Sequence, residues 1–320
     1  MIAQVSAELL EPYEPTLPDT RALRDRARHP VTISWFGTTV AMWFEDPTAA
    51  ELVRSRYASF QSFGPPALAH VAAHDANGDY VFWMSSGRSH RWTRCPLDSG
   101  AAAFLADVVV RRAYFSEHAP FASFHAAAIR SGDRAAAIVG LSEHGKTTTA
   151  VACARRGMPI YSDERCIVID GTVRPFPRAL NLRRPSLRML AAERVPDDAG
   201  IGARLRERLP GDWPCAAFDD LFGADQLASP APLAAIFFID AIGSFAEVRP
   251  MQQAESLTKL LAAPLRSAAR GLDRVAQALS LMRGVQSYAL TLGSPDQTAC
   301  LIQTVLARAT RGFKAVVCAS

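Results

Sequence analysis

The residue types best suited to chemistry fall in one run, Gly140-Leu141-Ser142-Glu143-His144-Gly145-Lys146-Thr147, which reads G-x-x-x-x-G-K-T. Glycines at both ends let the backbone fold tightly, so that successive N–H groups point into one concavity and, with a helix N-terminus, hold phosphate oxygens. In that arrangement Lys146 places a point charge on the β- and γ-phosphates and the Thr147 hydroxyl ligates Mg2+. Gly140, Ser142, Glu143, His144, Gly145, Lys146, Thr147 and Thr148 are therefore the expected nucleotide-binding set. The bland alternative is a glycine-rich turn whose lysine is merely solvated. Only three lysines, Lys146, Lys259 and Lys314, occur among 35 basic residues, so each is informative.

Asp163 and Glu164 form the next acidic pair, with Asp163 17 residues beyond Lys146. They close the strand expected after the loop's helix and should emerge on the same sheet edge as the loop. A strand period of two turns them to opposite sides, so that one faces the γ-phosphate. A carboxylate there could hold Mg2+ or take a proton from an attacking hydroxyl. Without the loop, the pair would read as solvated acids at a strand end. His125, 21 residues before Lys146, lies just ahead of the apolar strand feeding the loop. By itself it reads as a hydrogen-bonded core histidine.

The elements that must position these residues follow from periodicity and punctuation. Arg134 to Val139 is a short apolar strand bounded by Gly140, and Lys146 to Arg156 is helical, with Gly157 as its C-cap. Met158 to Tyr161 begins another strand, and Asp170-Gly171 marks a hairpin between Cys166–Ile169 and Thr172–Phe176. Ahead of this region, Val31 to Phe44 alternates as strand around Gly37, Pro47 to Ser59 is helical, Asn77-Gly78 marks a turn between alternating runs, and a helix is expected over about Leu97 to Phe115. Beyond it, Arg183 to Pro232 is charged and punctuated by proline, which suggests a helical insertion or a mobile substrate loop. Strands over Leu233–Ala241, Phe245–Arg249 and Val285–Leu292 follow, with two helices between Gln252 and Met282. A closing helix opens at Pro295 behind Ser294 as N-cap. The expected division is an N-terminal α+β domain over 1–118 and an α/β domain over 119–320.

Composition bounds the remaining choices. At 320 residues, 49% hydrophobic and 21% charged, the chain has the makeup of a folded protein with a sizeable core. A formal charge of +4 with scattered basic residues does not signal nucleic-acid binding. The six cysteines have no C-x-x-C spacing and no partnered histidines, which argues against zinc or a disulfide framework. No apolar run approaches the roughly 18 to 20 residues of a membrane span, and the amino terminus has no signal-peptide pattern, so a cytoplasmic location is expected.

His125, the loop GLSEHGKT and the acidic Ser162-Asp163-Glu164-Arg165 together resemble the catalytic domain of HPr kinase/phosphorylase and its relatives. Arg155-Arg156-Gly157 at the end of the loop's helix and the stretch Arg174 to Arg183 add to the likeness, which covers about residues 120 to 185. The resemblance implies a P-loop kinase core of the HPr kinase/PEP carboxykinase-like type, using ATP and Mg2+ to phosphorylate a serine-type hydroxyl. It implies Asp163 as the catalytic base, Glu164 as the second acid supporting the metal, and His125 beside the attacking group. Lys146 and Thr147 would hold phosphates and metal, and Arg178 and Arg183 are weaker candidates for substrate or phosphate contacts. The implied acceptor is a carrier protein, a precursor peptide of a modification pathway or a small hydroxyl compound. Thr147 is followed by Thr148, Thr149 and Ala150, where that family carries a glutamate, so the reverse phosphorolysis is not implied. The N-terminal segment carries none of the likeness and is a candidate docking or oligomerisation module.

The run GKTTT also occurs in SRP-type GTPases and ParA-like ATPases, which makes a molecular switch the alternative. Those families set their acidic Walker B residue much farther along, and their base-reading motifs are absent here.

Overall fold

In a computed structural model the chain is a mixed α/β protein of two compact units, Met1–Ser116 and Glu117–Ser320. The structure describes residues 11–13, 22, 25–60, 62, 68–74, 80–86, 89–95, 110, 114, 122–176, 178–182, 184–192, 215–216, 227–262, 265–266 and 272–308. Among these, no helix is long and apolar enough to cross a membrane.

The first unit is built on a six-stranded sheet: β1 (Glu11–Tyr13), β2 (His29–Trp35), β3 (Thr38–Phe44), β4 (Leu68–His74), β5 (Tyr80–Ser86) and β6 (Ser89–Cys95), in the spatial order β1-β6-β5-β4-β3-β2. The alternating run around Gly37 becomes the antiparallel β2–β3 hairpin, with Phe36 and Gly37 both at positive φ, as a tight two-residue turn requires. Helix α1 (Pro47–Arg56) starts where Asp46 accepts the amide of Thr48 and proline occupies the first turn. β4 and β5 pair antiparallel as expected, while the Asn77-Gly78 turn lies outside the described residues. So does the helix expected over Leu97 to Phe115, apart from Val110 and Tyr114. The Tyr114 hydroxyl donates to the carbonyls of Ile33 and Thr38, and burial raises its pKa.

The second unit is a mixed sheet with helices against both faces. Its strands are β7 (Ala122–Ser131), β8 (Arg134–Val139), β9 (Ile160–Ser162), β10 (Arg165–Ile169), β11 (Thr172–Arg174), β14 (Ala231–Ile242), β15 (Glu247–Pro250), β16 (Leu265–Arg266) and β17 (Gln286–Leu292). A separate two-stranded pair joins β12 (Leu180–Asn181) to β13 (Cys215–Ala216). The main path runs β11-β10-β7-β8-β14-β17-β15, with β9 and β16 also on β7. β8, β14 and β17 are parallel neighbours; β7 and β15 run antiparallel beside them.

The apolar content of these strands explains the layering. On β8, Ala136 and Ile138 enter one core while Ala135, Ala137 and Val139 enter the other. On β14, Phe237 and Ile236 divide in the same way. Strands buried on both faces need apolar residues at successive positions, which Ala135 to Val139 supply. Helices α2 (Lys146–Arg155), α3 (Arg184–Ala192) and α6 (Pro295–Arg308) cover the first face, and α4 (Gln253–Ala262) and α5 (Leu272–Met282) lend Leu260, Ala278 and Met282 to the second.

Three expectations need adjusting. Asp163 and Glu164 do not end a strand: β9 stops at Ser162, and the two acids occupy the bend before β10. Ser162 causes that bend, since its hydroxyl accepts the amides of Glu164 at 3.2 Å and Arg165 at 3.0 Å, diverting the backbone from the ladder. His125 belongs to a ten-residue strand of its own, β7, whose mixed residues gave no clean alternation. The stretch Arg183 to Pro232 holds helix α3, strand β13 and the start of β14; its residues 193–214 and 217–226 lie outside the described set.

Candidate active site

The site begins where β8 ends. Gly140 lies so close to β14 that a Cβ there would meet Ile239 at 3.1 Å. Leu141, Ser142, Glu143 and His144 are exposed, and the turn closes with the His144 amide donating to the Leu141 carbonyl at 3.3 Å. Glu143 takes φ +69°, a left-handed conformation costly for a residue with a side chain. Gly145 then caps α2 at φ +87°, a conformation that glycine adopts freely. The opening amides of α2, those of Lys146, Thr147 and Thr148, have no carbonyl one turn back in the helix, and they sit at its positive end. Thr149 is the first to close the ladder, onto the Gly145 carbonyl at 2.9 Å.

Lys146 is 7% exposed and folds back over the loop, its Nζ donating to the carbonyls of Gly140 at 2.9 Å and Leu141 at 2.8 Å. Burial lowers its pKa, an effect opposed by the charges of Asp163 and Glu164. The ammonium is thus held at the loop's rim by neutral carbonyls that a phosphate oxygen could replace.

Asp163 reaches this loop from the bend between β9 and β10. Its Oδ2 accepts the Thr147 hydroxyl at 3.0 Å and the Asn181 amide at 3.1 Å. Its Oδ1 is buried and has no hydrogen-bond partner. Burial raises the Asp163 pKa above the usual carboxylate range, against the pull of Arg178. An orphaned, buried carboxylate oxygen beside a threonine hydroxyl fits a divalent cation in type and number of donors, oxygen ligands supplied by two side chains with substrate phosphates to complete the shell. Among the described residues no cluster of three or more His, Cys, Asp or Glu could hold a metal by itself. Such a cation would therefore depend on phosphate and water for its other ligands.

Glu164 is ion-paired to Arg178, which is 4% exposed. Arg178 is thus engaged with the acid pair rather than directed at solvent, and Arg183 lies outside the described residues. His125 stands opposite Arg165 in the β7–β10 ladder and hydrogen-bonds to the Glu164 backbone. Burial, with the charges of Lys146 and Arg165, pushes its pKa down to about 4, so the imidazole is neutral at physiological pH. The fold therefore gathers Lys146, Thr147, Asp163, Glu164, Arg178 and His125 around one end of α2.

Sequence reasoning did not single out two participants. Asn181 contributes a backbone amide, which no residue type can advertise. Ser186 of α3 accepts the Thr148 hydroxyl at 2.9 Å from a segment expected to be a helical insertion or a mobile substrate loop.

No family model matches the sequence, and no curated protein matches it. Among solved structures, the HPr(Ser) kinase/phosphatase from Coxiella burnetii is 10% identical, with a TM-score of 0.31, covering 58% of this chain and 94% of that one. This is a distant structural likeness.

Proposed function

We propose that the chain is an ATP-dependent phosphotransferase with a P-loop kinase core of the HPr kinase-like type, acting on a serine-type hydroxyl. The observation that carries this reading is the hydrogen bond from Thr147 to Asp163, because it brings an acidic side chain to the opening turn of the loop's helix. Lys146 and the amides of 145–148 would hold the triphosphate, with its γ end toward Asp163. Thr147 and Asp163 would hold Mg2+, which when bound would neutralise charge on the β- and γ-phosphates.

The acceptor oxygen attacks the γ-phosphorus, the bond to the β–γ bridging oxygen breaks, and ADP departs with that electron pair. Asp163 takes the hydroxyl proton. Its fixed position beside Thr147, at the opening of the loop's helix, supports that role. Neutral His125, hydrogen-bonded to the Glu164 backbone, would orient the acceptor without adding positive charge. A protein, a peptide or a small hydroxyl compound would serve as acceptor.

The test is transfer of label from γ-labelled ATP, with Mg2+, to a hydroxyl in a lysate of the host. Asp163→Asn is expected to lower transfer by about a thousandfold while ATP binding changes little. Lys146→Ala is expected to lose ATP binding itself. Label recovered only as orthophosphate would overturn the kinase assignment, and transfer that persists in Asp163→Asn would overturn Asp163 as its base.

A further inference from the structure

Helix α3 is clamped along α2 at two levels. Near the loop, Thr148 Oγ1 donates to Ser186 Oγ at 2.9 Å; two turns later, Arg155, 2% exposed, donates to the Leu190 carbonyl at 2.8 Å. Leu187 and Leu190 enter the same core as Val151 and Ala154, so the position of Ser186 is set by packing and not by a mobile loop.

Two features make this serine more than a helix contact. First, it accepts the Thr148 proton, which leaves its own O–H to donate elsewhere. It is half-buried, so the hydroxyl is not sealed in the core. Second, it marks a direction. Successive helical residues are turned by about 100°, and Thr147 already points to Asp163, so Thr148 and Ser186 lie on another side of the helix end. A nucleotide with its γ-phosphate at Asp163 must carry its α-phosphate and sugar away from that carboxylate.

We propose that Ser186 is a nucleotide-recognition residue, whose hydroxyl, oriented by Thr148, donates to the α-phosphate of a bound nucleoside triphosphate. This rests on the phosphate-binding reading of the loop and adds a contact that Lys146 and Thr147 do not make. Pyrophosphate, occupying only the two positions governed by Lys146, would not reach it.

The experiment measures binding of ATP and of pyrophosphate by calorimetry to the full chain and to Ser186→Ala, Ser186→Thr and Lys146→Ala. Ser186→Ala is expected to bind ATP about tenfold more weakly and pyrophosphate unchanged. Ser186→Thr keeps the hydroxyl and should bind ATP within about twofold of the parent. Equal weakening of both ligands in Ser186→Ala would reduce the residue to a packing role. Unchanged ATP binding in that variant would overturn the contact outright. If instead Lys146→Ala binds both ligands as the parent does, the phosphate-binding loop itself is wrong and the proposal falls with it.

Discussion

At the scale of single residues, the site is a set of ionisable groups displaced from their ordinary behaviour by burial. Asp163 and Lys146 are both pushed toward their neutral forms by burial, and each is partly held charged by a neighbour: Asp163 by the positive charge of Arg178, Lys146 by the negative charges of Asp163 and Glu164. A buried opposite pair with spare hydrogen-bonding capacity is costly in isolation and useful if a charged ligand completes it. His125 has the clearest consequence. Its folded-state pKa of about 4 lies below the ordinary 6.5, so the unfolded chain takes up the proton first as pH falls. Its contribution to stability is therefore complete above about pH 6.5 and is lost between there and about pH 4. Melting temperatures of His125→Gln should fall less steeply over that window than those of the parent. Equal slopes would show that the imidazole is not desolvated as described.

At the scale of elements, two glycines show different reasons for the same residue. Gly145 is required by its left-handed φ of +87°, since the side chain it would meet, Leu292 Cδ1 at 2.9 Å, is a flexible end that can move. Gly293 is required by space. A Cβ there would meet the backbone nitrogen of Ala246 at 2.4 Å and the backbone carbon of Phe245 at 2.8 Å. Gly293→Ala is thus expected to cost about 3 kcal/mol by forcing the β14–β15 connection away from the end of β17. Gly145→Ala should cost only about 1 kcal/mol in stability but should weaken ATP binding, because it reshapes the cap that aims the α2 amides. Chemical denaturation with parallel nucleotide titration separates the two, and a reversed order of stability losses would refute this account. The closing helix α6 was legible in sequence for a related reason. Ser294 Oγ accepts the Gln297 amide at 3.2 Å, and Gln297 Oε1 accepts the Ser294 amide at 3.4 Å, a reciprocal cap written in four consecutive residues. What that pattern could not announce is the partner of Asp296, whose carboxylate receives Arg156 at 2.6 and 2.8 Å and ties α6 to the end of α2.

At the scale of the molecule, the chain divides into two units, and every described member of the candidate site belongs to the second. Residues 117–320 expressed alone are accordingly expected to bind ATP as the full chain does; loss of binding in that fragment would place part of the nucleotide site in the first unit. If the first unit docks an acceptor by strand addition, β2 is a poor edge for it. The Pro30 carbonyl accepts Arg54 at 3.2 Å and the Thr32 carbonyl accepts the Ser62 amide at 3.1 Å, so the edge is already engaged. The short-range features were readable from the sequence because their causes are local: a strand of small apolar residues, glycines flanking a loop, a serine before a proline, an Asp-Gly turn. They located the loop, its helix and the acid pair within a few residues. Tertiary structure alone decided that Asp163 faces Thr147 while Glu164 faces Arg178, that His125 stands in register with Arg165, and that Ser186 reaches Thr148 across 38 residues of chain. Those contacts depend on how sheet and helices pack, a long-range balance of burial and hydrogen bonding that no window of neighbouring residues contains.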